Sequence, residues 1–382
     1  MSSILNYPHV GIFILAWFVA DLVVPALIAI AHRLQVLDRP GGHKGQARPV
    51  PFFGGIGVLI AFAVAVSSTL RFESLANFLP LASMLGGAWV VLTLGLIDDY
   101  RPINALFKLG VLFATTVVLS LFGVHLQLFP HVWQNLPNVL ITLFWIVGVT
   151  SALNSIDNTD GVAAGLTAIA GVFIFLIAWG SSAADAQPWL SYLAVGLVGS
   201  CLGFLRYNFN PARIYLGDNG SFLLGYLLAV MLVFARYSEN MLQVVLIPGL
   251  IMAVPIFDIV LTTYLRIRSG DVSTIKGAIL HCARDHVAHL LMGLGLTKTQ
   301  TTLTIYGLGI LGGSAALLVR ASPNPVLNLV VAGTYFGFLA ALGGVLARAR
   351  PLVVGDAPIV PSELTETDRA VRASRRPERA AT

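Results

Sequence analysis

The sequence predicts an all-α, polytopic integral membrane protein with about eleven transmembrane helices, N-terminus outside and C-terminus cytoplasmic. Three observations carry this expectation. Hydrophobic residues make up 57% of the 382-residue chain and charged residues 11%, where a soluble domain has about a quarter charged. Mean hydropathy is +0.83. Apolar runs long enough to cross a bilayer recur along the chain, and the basic residues fall almost entirely in alternate connections between them.

The runs start near His9, Phe52, Pro80, Leu106, Pro137, Val162, Trp189, Ser221, Leu242, Thr301 and Pro325. No Lys or Arg precedes the first, unlike a cleaved secretory signal, so it reads as a true first helix. With the N-terminus outside, 20 of the 23 Lys and Arg residues lie inside and only Arg71, Arg236 and Arg320 lie outside. That is the positive-inside bias. The net charge of +5 is therefore a topology signal first, and a basic inner face also suits anionic head groups and nucleotides. Nothing points to nucleic acid. Cys201 and Cys282 make no disulfide framework. Residues 1–347 read as one membrane domain and 348–382, rich in Pro, Ala, Arg and Glu, as a disordered cytoplasmic tail.

Five of the 18 carboxylates fall in three polar islands: Asp98 and Asp99 in GLIDDY, Asp157 and Asp160 in NSIDNTDG, and Asp218 in YLGDNGS. Ionisable groups at a membrane span are costly, so they mark a site more often than they stabilise. The basic-residue count puts all five on the cytoplasmic side. Asp98 and Asp99 end the third span and point about 100° apart, so one can meet a metal or a lysine while the other faces a second group. Lys108, ten residues on, is the counter-charge expected. Asn154, Asp157 and Asp160 stand three apart and share a face if helical, with oxygen ligands suited to Mg²⁺ or Mn²⁺. The same residues also read as a turn. Asp218 precedes span eight, where it reads as an N-cap or a phosphate-facing helix start.

The inside loops add basic groups. Lys44 and Arg48 in the first loop reach an anionic ligand or serve only topology, and Gly54, Gly55 and Gly57 permit close helix approach. The longest inside loop carries Arg284, His286 and His289, the two histidines i, i+3 on a helix and able to bond a diphosphate; with His281 and Cys282 they also have the residue types of a zinc site, which no paired-Cys motif supports. Asp258 orients this loop or pairs with a basic residue in it. Asp21 stands alone in span one.

In order, these islands resemble the polyprenyl-phosphate N-acetylhexosamine-1-phosphate transferases, over about Asp38 to Leu296. The resemblance implies that Asp98 and Asp99 handle the lipid phosphate acceptor, and that Asn154 and Asp218 hold a Mg²⁺–pyrophosphate complex. It gives Asp157 and Asp160 to nucleotide and metal organisation, and Arg284, His286 and His289 to the sugar-nucleotide diphosphate. Asn158 stands where the commoner run has Gly, and Ala288 and Leu290 where His and Arg are typical. The chain is closer to the aminosugar-phosphate group than to the muramoyl-pentapeptide enzymes.

The reaction so implied is Mg²⁺-dependent transfer of N-acetylhexosamine-1-phosphate, GlcNAc-1-phosphate by default, from a UDP-sugar to undecaprenyl phosphate with release of UMP. The lipid phosphate oxygen attacks the β-phosphorus in a single displacement; Asp98, Asp99 and Asp218 are the catalytic candidates, Lys44, Arg48, Lys108, Asp157, Asp160, Arg284, His286 and His289 the substrate-binding ones. The expected partners are the UDP-sugar, the polyprenyl lipid and the bacterial inner membrane, a homodimer being left open. This is the first membrane step of a cell-envelope polysaccharide pathway. The rival reading is an ion-coupled secondary transporter using Asp21, Asp218 and Asp258, but those place their carriers near the midplane of repeated folds. A non-catalytic scaffold is the third reading.

Overall fold

The computed structural model describes residues 8–38, 49–68, 75–126, 128–129, 135–180, 187–235, 240–269 and 285–354. Helices dominate: α1 (Pro8–Leu34), α2 (Gly54–Ser67), α3 (Leu75–Tyr100), α4 (Ala105–Leu121), α5 (Asn135–Ile156), α6 (Val162–Trp179) and α7 (Pro188–Asn208). There follow α8 (Gly217–Phe234), α9 (Met241–Ile251), α10 (Ala253–Arg268), α11 (Val287–Gly293), α12 (Lys298–Ala321) and α13 (Pro325–Val354). The last helix thus passes the boundary at residue 347 read from composition, and 355–382 lie outside the described residues.

Among the described residues eight helices are long and apolar enough to cross a membrane, or nine if α9 and α10 count as one broken span. The eleven runs read from sequence are all helical, but α2, with 14 residues, and α4, with 17, rise only about 21 and 26 Å against a hydrocarbon core of about 30 Å. The span starting near Leu242 is bent by 74° between Ile251 and Ala253. Pro255 has no N–H to continue the α9 ladder, which is why the break falls there.

The centre of the bundle is α8. In its span 83% of residues are buried, against 22% in α1, and the run from Phe222 to Leu232 is buried on every side. A helix apolar all round belongs inside. Helices α3 and α5 pack directly on α8, and α2 and α6 close round it. The outer faces carry the opposite signature: Val10, Ile14, Phe18 and Leu22 form an exposed apolar stripe on α1, as lipid contact requires.

A two-residue antiparallel pair, β1 (Leu37–Asp38) with β2 (Val50–Pro51), closes the first inside loop. Its exit is stitched to the entry of α8, Tyr215 N–H donating to the Pro51 carbonyl at 2.7 Å and Gly54 N–H to the Tyr215 carbonyl at 3.1 Å. The glycines expected to allow close approach do so. A Cβ on Gly55 would collide with Asn219 and Gly220, and one on Gly95 of α3 with the backbone of Asp218 and Asn219. The start of α8 is therefore clasped by α2 and α3 at backbone distance.

Candidate active site

The site is built around the first turn of α8. Gly217 has φ +74°, a left-handed conformation only glycine adopts cheaply, and it turns the chain into the helix. The first N–H groups of any helix need an acceptor. Here Asp99, from α3, supplies it: its carboxylate accepts from the N–H of Asp218 at 2.8 Å and of Asn219 at 3.0 Å, and from Asn219 Nδ2 at 2.7 Å. Asn219 Nδ2 also donates to the Phe52 carbonyl at 2.6 Å. Asp218 therefore does not cap its own helix, contrary to one reading of the sequence. A partner 119 residues earlier caps it, leaving the Asp218 side chain to face the site.

Asp98 does something different. It is buried and accepts from Lys108 Nζ at 2.5 Å and from Ile103 N–H at 2.7 Å. Lys108 is thus the expected counter-charge. The Asp98 and Asp218 carboxyl groups also lie within hydrogen-bonding reach of each other. Carboxylates that close call for a proton or a cation between them. Asn154, at the end of α5, donates to Asp218 Oδ1 at 2.9 Å and to Ser221 Oγ at 2.8 Å.

Asn154, Asp157 and Asp160 do not share a helical face. Helix α5 ends at Ile156, and 157–161 form a turn closed by Gly161 at φ +79°. The turn reading of the Asn-Asp-Gly run was the correct one, because those side chains compete with the helix ladder for backbone groups. Asp160 accepts from Ala212 N–H at 3.2 Å, and Gly161 N–H donates to Asn208 Oδ1 at 3.1 Å. Half-buried Asp157 projects from this turn. Burial first, then the charges of Asp218, Asp99 and Asp160, push its carboxyl well above the ordinary carboxylate range. Despite the turn, one acidic centre forms.

A second cluster lies beside it. Asp258, on α10, accepts from Val287 N–H at 2.8 Å, sits 2.8 Å from His286 Nδ1 and receives Ser155 Oγ at 3.2 Å. It thus caps α11 and orients the inside loop, as expected. His286 lies just before α11 rather than on its face, so the i, i+3 helical pairing with His289 is not formed. Arg266 and Asp285 make a buried bidentate pair at 2.6 and 2.8 Å, and Arg266 Nη2 lies 3.5 Å from His286 Nε2. Ala288 and Leu290, the positions departing from the family pattern, are fully buried. Their side chains pack the core instead of facing the acidic centre. Lys44, Arg48 and Arg284 lie outside the described residues.

Asp21 is not alone: Arg206 pairs with it at 2.5 Å and Tyr207 Oη donates to it at 2.8 Å. Sequence reasoning missed Asn219, Ser221 and Ser155. The first two stood in plain view in YLGDNGS, but their side-chain partners come from other helices.

The donor set fits a hard divalent cation. Asp218 and Asp98 offer carboxylate oxygens side by side, with the Asn154 amide against Asp218. Among the described residues no three His, Cys, Asp or Glu side chains form a ready metal cage. Mg²⁺ commonly takes one or two carboxylates and completes its shell with water and phosphate oxygens.

The model of glycosyl transferase family 4 matches residues 81–236, the stretch that carries Asp98, Asn154 and Asp218. A phospho-N-acetylmuramoyl-pentapeptide-transferase of Heliobacterium modesticaldum is 32% identical over 247 residues, covering 59% of this chain and 74% of the relative. The chain belongs to this transferase family. A probable undecaprenyl-phosphate N-acetylglucosaminyl 1-phosphate transferase of Bacillus subtilis is 29% identical over 319 residues, 81% of this chain and 84% of the relative. An undecaprenyl-phosphate alpha-N-acetylglucosaminyl 1-phosphate transferase of Escherichia coli is 25% identical over 305 residues, 77% and 79%. The chain is thus an enzyme of this family, and its own acidic islands gather around one helix start.

Proposed function

We propose that this chain transfers N-acetylhexosamine-1-phosphate, in the first instance GlcNAc-1-phosphate, from a UDP-sugar to polyprenyl phosphate and releases UMP. The observation that carries the reading is the convergence of Asp98, Asp218 and Asn154 on the start of α8. Relatives that align along more than three quarters of the chain are named as undecaprenyl-phosphate N-acetylglucosaminyl 1-phosphate transferases. Counting the bent pair as one span and including α2 and α4 gives eleven crossings, which would put the acidic centre on the cytoplasmic face of the bacterial inner membrane.

In the reaction a lipid phosphate oxygen forms a bond to the β-phosphorus. The bond from that phosphorus to the bridging oxygen breaks, and UMP leaves with the electron pair. A phosphate monoester is largely ionised at neutral pH, so no strong base is needed, and Asp98 aligns the acceptor. Lys108 holds Asp98 in place, and Asp99 fixes Asp218 by capping α8. Asp157 and Asp160 line the nucleotide side, His286 and His289 the diphosphate, with Lys44, Arg48 and Arg284 adding positive charge. Mg²⁺ held by Asp218 with Asp98 and Asn154 would offset the charge of the diphosphate.

The test is incubation of purified protein with undecaprenyl phosphate, Mg²⁺ and a panel of UDP-sugars, following UMP. UDP-GlcNAc should yield UMP with the wild type and none with Asp218→Asn. No UMP from any donor, with folded protein confirmed, rejects the proposal.

A further inference from the structure

Away from the acidic centre, a groove of about 1180 Å³ runs between α10 and α13. Phe257, Leu261, Leu339 and Gly343 give it apolar walls, and Arg268 and Arg348 line it near the C-terminal ends of their helices. The space exceeds the roughly 300–1,000 Å³ of common small-molecule pockets. It opens where the apolar side chains of Val260 and Phe336 are exposed.

The arginines decide what belongs there. Among the described residues neither forms an ion pair with a carboxylate. Arg268 donates to Tyr264 Oη at 3.0 Å and lies 5.9 Å from that ring's centre, so its guanidinium is anchored by an uncharged group. A cation over an apolar groove at a membrane is expensive unless an anion joins it. Guanidinium groups match phosphate oxygens with paired N–H donors. Both helices enter the cytoplasmic side in the proposed topology, and that leaflet carries the anionic lipids.

We propose that this groove binds an anionic phospholipid, its phosphate between Arg268 and Arg348 and an acyl chain along the apolar walls of α10 and α13. The occupant is distinct from the acceptor substrate: Asp258 and Arg266, on α10 itself, are buried away from the groove and turned to the second cluster of the site. A lipid in this position braces the face of α10 opposite the one that holds His286. The inference needs the membrane reading but not the transfer reaction.

Native mass spectrometry of the intact detergent-solubilised protein tests it, with phosphatidylglycerol and phosphatidylcholine of equal chain length as probes. The wild type should retain phosphatidylglycerol preferentially. The double variant Arg268→Gln/Arg348→Gln should lose roughly thirtyfold in that affinity, taking the usual worth of two basic residues beside an anionic lipid. Gly344→Phe fills the groove instead, since a Cβ there meets nothing within 4 Å, and it should lower occupancy with the charges kept. Unchanged phosphatidylglycerol retention in both variants overturns the proposal. So does one-for-one displacement of phosphatidylglycerol by undecaprenyl phosphate with a raised KM for that acceptor in the double variant, which would make the groove the acceptor's own.

Discussion

Asp99→Ala separates positioning from chemistry at this site. The Asp99 carboxylate holds two backbone N–H groups and one amide N–H at the start of α8. Hydrogen bonds to a charged acceptor contribute about 1.5–3 kcal/mol each, and losing an N-cap alone costs about 0.5–2 kcal/mol. Allowing for shared partners, the variant should lose roughly 4 kcal/mol of stability. Turnover should fall with it, because Asp218 follows the helix start. Asp218→Asn is the comparison: it keeps the Asn154 contact, relieves the crowding against Asp98, and should be inactive yet at least as stable. Thermal unfolding in detergent alongside UMP release reads both. An Asp99→Ala protein that melts like the wild type while making no UMP would refute the argument, since Asp99 would then act on substrate directly.

Other consequences follow from particular side chains. The Asp157 carboxyl is pushed upward, so the folded protein binds its proton more tightly than the unfolded chain and stability falls as pH rises. In chelator, Asp157→Asn should therefore melt higher than the wild type at neutral pH, with the gap closing towards about pH 4; equal melting at pH 7.5 contradicts this. Gly217→Ala puts a Cβ 2.5 Å from Asn219 Nδ2 and 2.8 Å from Asp99 Oδ2 at φ +74°. It should lower stability and activity together, whereas Gly86→Ala, with nothing within 4 Å, should leave both unchanged in the same assays. Asp258→Asn keeps an acceptor for Val287 N–H but loosens His286. Steady-state kinetics should show a larger rise in KM for the UDP-sugar than fall in kcat.

Much of this site was legible because membrane chains place charge so sparingly. Each acidic island stood out against apolar sequence, and the ten-residue spacing from Asp98 to Lys108 across a single helix–helix corner correctly paired them. Gly54 and Gly55 also announced their close contact. What escaped was long-range. No local pattern says that Asp99 will cap a helix 119 residues later, or that Arg266 will find Asp285 in the core. The turn at 157–161 was visible as an alternative, but helical spacing and turn chemistry predict different partners for the same residues. Only packing against α7 and α12, through Asn208 and the Tyr306 Oη bond to the Gly161 carbonyl at 2.6 Å, selects the turn. The break at Met252 lay inside an apolar run whose only sequence signs were Pro248-Gly249 before it and Pro255 after it.

The most direct measurement of the central claim follows the β-phosphate. Purified enzyme with Mg²⁺, undecaprenyl phosphate and UDP-GlcNAc labelled at the β-phosphorus should move the label into the lipid diphosphate and release unlabelled UMP, and chelation should stop both. Label left in soluble UDP would mean that the sugar moves without its phosphate, and the account of this site would be contradicted.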